Sequence, residues 1–481
     1  MGARGRGTWV VAAVLLLVVL LETYALQAHT IGIVVIGALA GLALVVVAVG
    51  ADLVRIGAGT AYLSAFTLTW NGWFLGPVRP GDALIPLVLM CFAAGAPITV
   101  FRSPPWWIKQ LVLALVLGVV LIVLLPPDRS FLAQRVTLNA GGAVIYIPYD
   151  DVSSQNISIA LKFIIAVAAI PIAFTAVALI YQGAIRWLAI AFAAGAAVNG
   201  AVAFIDHTGV LSLGHYLTHI PNVSNRQLGF ANHPNFLAAG LVLAIPFACW
   251  LLVSTVRWER YVGLGCLMAD LLGVYASGSR GGAVCAVGAV VLSFMLLPRT
   301  RPHLPVILLG GLAGAATVAV VFPSFGLAIL RVTRLVGNAT AAGSDLVRAR
   351  VAAQGWRDFD YSPIHGIGLQ VSTQASQVYL QELASGGIIL FAAMQAYMIG
   401  AAWDSWRFIR HNPLAAAILG SIGATLALNI FEADLTDRFY YVPEAILVAM
   451  VVQARSGSAA ASTEPDAVAP AVPALTGAVS R

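Results

Sequence analysis

The chain has 481 residues, of which 60% are hydrophobic and only 10% are charged. A soluble domain has about 45–50% apolar and about 25% charged residues, so this composition excludes an ordinary soluble protein and indicates a polytopic membrane protein. The net charge of +6 comes almost wholly from arginines between apolar blocks, which favours membrane topology or an anionic substrate over a nucleic-acid partner.

Apolar blocks follow one another along almost the whole chain. A membrane-spanning helix needs about 20 mostly apolar residues, and helices satisfy every backbone amide within the lipid. The blocks lie at 8–26, 31–54, 56–76, 83–101, 106–125, 158–181, 184–205, 235–255, 260–277, 282–298, 304–322, 379–403, 414–431 and 439–454. We therefore predict an all-α polytopic helical membrane protein with about 12–14 transmembrane helices, forming one integral-membrane domain over residues 1–454.

Both ends of the chain are predicted to be cytoplasmic. The first block follows a basic start and is long enough to be a retained span rather than a cleaved signal peptide. Arginines cluster against helix ends in the very short connections of one side, as the positive-inside rule expects of cytoplasmic loops. Residues 455–481 are rich in Ala, Ser and Pro and are predicted to form a disordered cytoplasmic tail.

The cysteines indicate neither a disulfide framework nor a metal site. All four fall within apolar blocks, and none has a histidine or carboxylate at ligand spacing. We predict that they are small buried side chains. The sequence predicts no cofactor.

Three longer connections, 126–157, 206–234 and 323–378, are predicted on the outer face. Long ordered loops are usually functional, and the large loop 323–378 carries arginines that the positive-inside rule would place elsewhere. Its segment "GSDLVRARVAAQGWRDF" is predicted to be a helix. The outer-face arginines are Arg226, Arg280, Arg331, Arg334, Arg348, Arg350 and Arg357.

These arginines have two interpretations. A single outer arginine ordinarily binds lipid headgroups or extends to the interface. Several on one face suit a lipid-linked diphosphate, because guanidinium groups make paired, charge-assisted hydrogen bonds to phosphate oxygens. On this interpretation, substrate-binding arginines are Arg226, Arg331, Arg334 and Arg350.

The segment "RQLGFANHPNFLAAG", residues 226–240, places polar residues where a span begins. Such a helix start leaves backbone N–H groups available to an anion. Asn232, His233 and Asn235 are therefore predicted to bind substrate, the asparagines through backbone groups or sugar hydroxyls. An ordinary helix cap, with Asn232 and Pro234 in capping roles, explains those two residues equally well.

The ordered set "RQLGFANHPNFLAAGLVLA", "SGSRGG", "LVRARVAAQGWRDFDYSPIHGIGLQ" and "VYLQELASGGIIL" resembles the O-antigen ligase and polymerase superfamily, across residues 190–450. The resemblance implies an all-helical, GT-C-like glycosyltransferase of the bacterial inner membrane, with a large periplasmic loop over the active site. Members pass a glycan from undecaprenyl diphosphate to a hydroxyl of the lipid A core, of a growing glycan or of a protein. They need no metal and no nucleotide sugar.

By position, the resemblance assigns Arg226, Arg280 and Arg348 to recognition of the diphosphate, with Arg280 and Arg348 as catalytic residues. The implied reaction is attack of an acceptor hydroxyl on the anomeric carbon opposite the diphosphate, which inverts the linkage. Stabilising the departing anion is electrostatic work that a dry, prearranged site performs well.

The sequence departs from the family where its histidine base would stand. The usual His-Asn pair is replaced by Ser376 and Gln377, which we predict, with Tyr379, to bind substrate. The residues that can take over as base are His365 and Glu382, predicted as catalytic, and His233. A base contributes about 10²–10⁴-fold, so arginines alone would still support slow transfer.

The charged segment "NIFEADLTDRFYY", residues 429–441, is predicted to be an exposed, salt-linked loop, as surface charge groups usually are. The alternative is an acceptor-sugar site in which Tyr440 and Tyr441 stack on a ring. The charged members are Glu432, Asp434, Asp437 and Arg438.

Two other functions stay open beside transfer to the lipid A core. An O-antigen or exopolysaccharide polymerase would use the same donor to lengthen a glycan, and no motif separates the two. A polyprenyl-linked glycan transporter would need inverted repeats with broken helices at matching positions in both halves. The sequence has one interrupted helix start and no convincing repeat, so a transferase is preferred.

Overall fold

Helices make up about 80% of the described chain. The computed structural model describes residues 52–73, 79–134, 137–138, 144–145, 152–220, 226–321, 339–369, 377–432 and 435–462. The first helices are α1 (Leu53–Thr67), α2 (Pro80–Gly95), α3 (Trp106–Leu124), α4 (Arg129–Ala133), α5 (Val152–Ile164), α6 (Ile170–Ile180), α7 (Ala184–Thr208) and α8 (Leu213–Thr218). The later ones are α9 (Pro234–Leu252), α10 (Arg257–Ser277), α11 (Arg280–Leu296), α12 (Leu304–Val321), α13 (Ala339–Tyr361), α14 (Val378–Phe408), α15 (Pro413–Leu428) and α16 (Val442–Ser462).

Shorter elements complete the described structure. A π-helical turn, Ile165–Ala169, joins α5 to α6. Among the described residues, strands are limited to β1 (Thr137–Leu138) and β2 (Val144–Ile145), paired antiparallel with Thr137 opposite Ile145. The short 3₁₀ turns are Ile98–Val100, Arg301–His303 and Arg438–Tyr441.

The predicted all-α membrane fold is confirmed. Every predicted apolar block from 56–76 onward overlaps a described helix, while block 8–26 and nearly all of block 31–54 lie outside the described residues. Helices long and apolar enough to cross a membrane are Trp106–Leu124, Asn156–Ile180, Ala184–Thr208, Pro234–Leu252 and Val378–Phe408. The total of about 12–14 spans stays a prediction.

Helix α9 lies at the centre of the bundle, with 89% of its apolar stretch buried. It packs against α7, α10, α11 and α15. The Ser421 hydroxyl of α15 donates a hydrogen bond to the Leu243 carbonyl at 2.9 Å, close to Pro246, which removes one backbone donor from the helix interior. The surrounding helices therefore hold α9 firmly, and they fix the position of its first residues.

Helix α13 lies within the predicted large loop 323–378 and confirms the helix expected there. Its last residue, Tyr361, stacks on Phe131 with ring centroids 3.8 Å apart, and its hydroxyl accepts a hydrogen bond from the Asp128 backbone N–H at 3.0 Å. A Cβ on Gly355 would lie 2.9 Å from the Leu380 side chain of α14. The loop helix is thus docked on the bundle and on the 126–157 connection.

The predicted tail boundary at residue 455 falls inside a helix. Helix α16 continues to Ser462, so residues 455–462 are helical rather than disordered. The remaining predicted tail, 463–481, lies outside the described residues.

Candidate functional site

The segment leading into α9 contains a turn at Gly229, where φ is +53, and is held from two sides. On one side the Gln227 N–H donates to the Ala276 carbonyl of α10 at 3.1 Å. On the other side the Gly72 N–H donates to the Phe230 carbonyl at 2.8 Å. A Cβ on Gly72 would lie 2.2 Å from the Ala231 carbonyl carbon, so only glycine permits this approach.

A polar network ties the same segment to the chain's last connection. The Asn232 N–H donates to Asn71 Oδ1 at 3.2 Å, and the Asn71 amide donates to Asp437. Asp437 also accepts from Arg79 Nη1 at 2.8 Å. This network, Asn71–Asp437–Arg79, fixes the backbone immediately before α9.

Helix α9 begins with an unusual cap. His233, rather than an asparagine, is the capping residue, because its Nδ1 accepts a hydrogen bond from the Asn235 N–H at 3.2 Å. The expected capping role of Asn232 is therefore wrong, while Pro234 takes the first helical position as expected. Asn232 Oδ1 is buried and has no hydrogen-bond partner within the described part of the chain.

Arg226 is anchored beside this cap. Its Nε donates to the Ser277 carbonyl at the end of α10, at 2.8 Å. Its Nη2 donates to Asn235 Oδ1 in the first turn of α9. The guanidinium group consequently lies at the positive end of the α9 dipole, where an anion is favoured.

Helix α13 brings Arg348 to the same place. Arg348 Nη2 lies 3.9 Å from Glu432 Oε1, which is too long for a hydrogen bond but within range of a strong electrostatic interaction. Glu432 follows α15, and the Asn235 side chain donates a hydrogen bond to it. Arg226, Asn235, Glu432 and Arg348 thus form one continuous cluster, which we call the α9 cluster.

Two shifted pKa values show the electrostatics of the α9 cluster. Burial lowers the pKa of His233 to about 4, helped by the positive charges of Arg226 and Arg348. Burial raises the pKa of Glu432 to about 7, against the opposing effects of Arg348, the Asn235 hydrogen bond and Arg226. Both arginines therefore act on both side chains, and His233 is neutral at pH 7.

Arg280 reaches the neighbourhood through Asp345. Its Nη2 forms an ion pair with Asp345, which lies three residues before Arg348 on α13 and so shares its helix face. A Cβ on the next residue, Gly281, would lie 2.8 Å from Phe431 Cβ, directly beside Glu432. The three arginines assigned to the diphosphate are thus brought to one end of the bundle.

The predicted replacement bases His365 and Glu382 do not join the α9 cluster. His365 follows α13, and the thirteen residues from Arg348 to Tyr361 span about 20 Å of helix. Its ring lies 3.3 Å from the Ser362 hydroxyl. Glu382 is 1% exposed and accepts a hydrogen bond from Gln395 at 3.0 Å within α14.

The other predicted substrate-binding residues are spread more widely. The Tyr379 hydroxyl donates to the Leu426 carbonyl of α15 at 2.9 Å, so this polar end is engaged in helix packing. Gln377 stands at the start of α14 without a side-chain cap. Arg350 is exposed, two positions beyond Arg348 and so on another face of α13. The predicted residues outside the described chain are Arg331, Arg334 and Ser376.

The expected exposed loop at 429–441 is wrong for every described charged residue. Glu432 is 6% exposed, Asp437 3% and Arg438 6%. Tyr440 and Tyr441 are also buried, which opposes their stacking on a sugar. Asp434 lies outside the described residues.

Glu432 was predicted only as part of an exposed charged loop or of an acceptor-sugar site, and its burial beside Arg348 was not predicted. The available signal was a glutamate directly after an apolar block, on the face predicted to carry the arginines. Its surroundings include Asn235 from α9, Cys285 from α11 and Arg348 from α13, which lie far from it in sequence, so the local sequence does not predict its burial.

The described residues offer little for a metal ion. They contain no group of three or more His, Cys, Asp or Glu side chains arranged to hold one. The four cysteines are all buried and unpaired with each other. The chemistry of the α9 cluster is therefore that of guanidinium, carboxyl, amide and imidazole groups.

The fold and the α9 cluster define a helical membrane protein in which two arginines lie beside the first turn of a buried helix. A family model described as O-antigen ligase matches residues 265–394. The matched stretch is thus similar to the O-antigen ligase family, and it includes Arg280 and Arg348 but not Arg226 or Glu432. No curated protein matches the sequence.

Proposed function

We propose that this protein is an inverting, metal-independent glycosyltransferase that moves a glycan from undecaprenyl diphosphate to an acceptor hydroxyl. The proposed acceptor is a hydroxyl group of the lipid A core. The observation that carries the proposal is the convergence of Arg226 and Arg348 on the first turn of α9. A helix start and two guanidinium groups together suit a diphosphate. The family match supports a lipid-linked glycan as substrate in general.

The proposed donor lies with its polyprenyl chain along the apolar flank of the bundle. Arg226 and Arg348 hold the diphosphate. Arg280 joins them when its ion pair with Asp345 is replaced by one with the phosphates, which carry more negative charge than the Asp345 carboxylate. The unpartnered Asn232 Oδ1 accepts a hydrogen bond from a sugar hydroxyl, which satisfies a buried polar atom.

The proposed transfer depends mainly on leaving-group stabilisation. As the bond from the anomeric carbon to the diphosphate breaks, negative charge grows on the phosphate oxygen that faces the arginines. Preorganised positive groups in a buried site stabilise that charge without reorganising. The neutral His233 ring accepts at Nδ1, so its other nitrogen carries the proton and donates toward the same oxygens.

We further propose that the protein lies in the bacterial inner membrane with both termini in the cytoplasm. The α9 cluster would then face the periplasm, where α13 covers it. This orientation follows from the arginine-rich short connections at the other end of the bundle.

The proposed function is tested by incubating the purified protein with an undecaprenyl-diphosphate-linked oligosaccharide, with and without lipid A core. We expect core-dependent capping and release of undecaprenyl diphosphate. Lengthening of the glycan without core would instead identify a polymerase. Donor movement across vesicles without any new glycosidic bond would identify a transporter and refute the proposal.

A further inference from the structure

We propose that Glu432 is the proton acceptor that activates the acceptor hydroxyl. It takes the role of the histidine base that the family usually has where this sequence has Ser376 and Gln377. The inference rests on the proposed glycan transfer. It adds a catalytic residue that lies outside the O-antigen ligase match at 265–394.

The location of Glu432 supports this role. The residue stands directly beyond α15, is 6% exposed, and lies 3.9 Å from Arg348. The Asn235 side chain donates to it while also accepting from Arg226. A diphosphate held by the two arginines would place the adjoining sugar within reach of this carboxylate.

The protonation state of Glu432 is also appropriate. Three elements present charged or titratable groups to it: Arg348 from α13, Arg226 from the segment before α9, and Cys285 from α11. Burial outweighs both arginines and raises the pKa of Glu432 to about 7. A general base works best when its pKa lies near the working pH.

The other bases predicted from the sequence, His233, His365 and Glu382, are not placed to take a proton from the acceptor hydroxyl. His233 Nδ1 accepts the Asn235 N–H, so this nitrogen is not available to a substrate proton. His365 is separated from Arg348 by more than the thirteen-residue remainder of α13, about 20 Å of helix. Glu382 bonds to Gln395 inside the bundle.

The chemical step balances without any further reagent. The acceptor oxygen forms a bond to the anomeric carbon as its proton passes to a Glu432 carboxylate oxygen. The bond between that carbon and the diphosphate oxygen breaks, and undecaprenyl diphosphate leaves as an anion on Arg226 and Arg348. Loss of the proton from Glu432 to water restores the site.

The test compares Glu432→Gln with the wild-type protein, both purified as full chains. A matched control is Glu444→Gln, since Glu444 is 1% exposed and belongs to α16, away from the arginines. The readouts are the transfer rate, binding of undecaprenyl diphosphate alone, the pH dependence of transfer and the configuration of the new linkage.

We expect Glu432→Gln to slow transfer by about 10²–10⁴-fold while binding undecaprenyl diphosphate at least as tightly, because a negative charge beside Arg348 is removed. The wild-type rate should rise with pH through about 7, where Glu432 ionises, and level off above it. The variant should lack this rise. Glu444→Gln should behave as wild type.

Four results would overturn the assignment. Transfer by Glu432→Gln at the wild-type rate would show that Glu432 is not the base. If Glu432→Gln lost both transfer and the binding of undecaprenyl diphosphate, Glu432 would act by positioning the arginines rather than as a base. A retained linkage configuration would make it a nucleophile. If the wild-type protein itself transfers no glycan, the proposed function fails first, and this inference fails with it.

Discussion

At the scale of single residues, the α9 cluster places Arg226 and Arg348 beside the buried carboxyl group of Glu432. Arg226, Arg280 and Arg348 stood out because arginines are rare in apolar sequence and unexpected on the outer face. The structure brings them to one end of the bundle. Glu432 did not stand out, because its surroundings come from α13 and α9, far away in sequence. A sequence shows which groups are charged, whereas packing decides which of them lose water.

Arg348→Ala should lower glycan transfer by about 10²–10³-fold, the usual cost of removing one preorganised group that stabilises developing negative charge. The variant also leaves buried Glu432 without its 3.9 Å partner. Transfer is measured on purified protein with a lipid-linked oligosaccharide, alongside a thermal unfolding curve.

A matched control for Arg348 is available on the same helix. Arg357 is exposed and lies about two and a half turns later, on the opposite side of α13. Arg357→Ala should transfer normally. Normal transfer by a folded Arg348→Ala protein would count against the diphosphate assignment.

At the scale of elements, helices were predictable and their interruptions were not. An apolar block of membrane length can satisfy its backbone only as a helix, so blocks and helices overlap along the described chain. The break inside α14 is different. Gly387 has φ +61 and ψ −159, and the turn after α13 packs there, with the Ile388 N–H donating to the Pro363 carbonyl at 2.9 Å. Nothing in the local apolar pattern marks that break.

Gly387→Ala should destabilise the protein by at least about 1–3 kcal/mol, the cost of holding another residue in a backbone region that essentially only glycine adopts. The new Cβ would also lie 2.3 Å from the Ile364 carbonyl carbon. The measurement is the midpoint of thermal unfolding in detergent.

Gly118→Ala is the comparison for Gly387, because a Cβ there meets nothing within 4 Å. Alanine favours a helix interior over glycine by about 1 kcal/mol, so this variant should unfold at the wild-type temperature or above. Equal midpoints for the two variants would contradict the strained break in α14.

At the scale of the whole molecule, the bundle has two chemically distinct ends. Helix α10 runs from Arg257 at one end to Ser277 at the other, where its carbonyl accepts from Arg226. Its 21 residues span about 30 Å, the thickness of a hydrocarbon core. At the Arg257 end, Trp187 and Trp258 are stacked and about half exposed, as is common at a membrane interface.

Single cysteines introduced at Arg257 and Arg357 should be labelled from opposite sides of the membrane. Both positions are exposed, and the four native cysteines are buried, so background labelling should be low. A membrane-impermeant maleimide applied to spheroplasts should label only Arg357→Cys. Labelling of Arg257→Cys alone would invert the proposed orientation.

The Asn71–Asp437–Arg79 network has a consequence for biosynthesis. Asn71 and Asp437 are 366 positions apart, so this network joins an early segment to one synthesised near the end of translation. A ribosome-bound nascent chain contains Arg226, Arg280 and Arg348 long before that closure. The backbone before α9 therefore gains its hydrogen-bonded support only after Asp437 has been synthesised, and chains truncated before Asp437 should not bind the proposed lipid donor even when they are stably inserted.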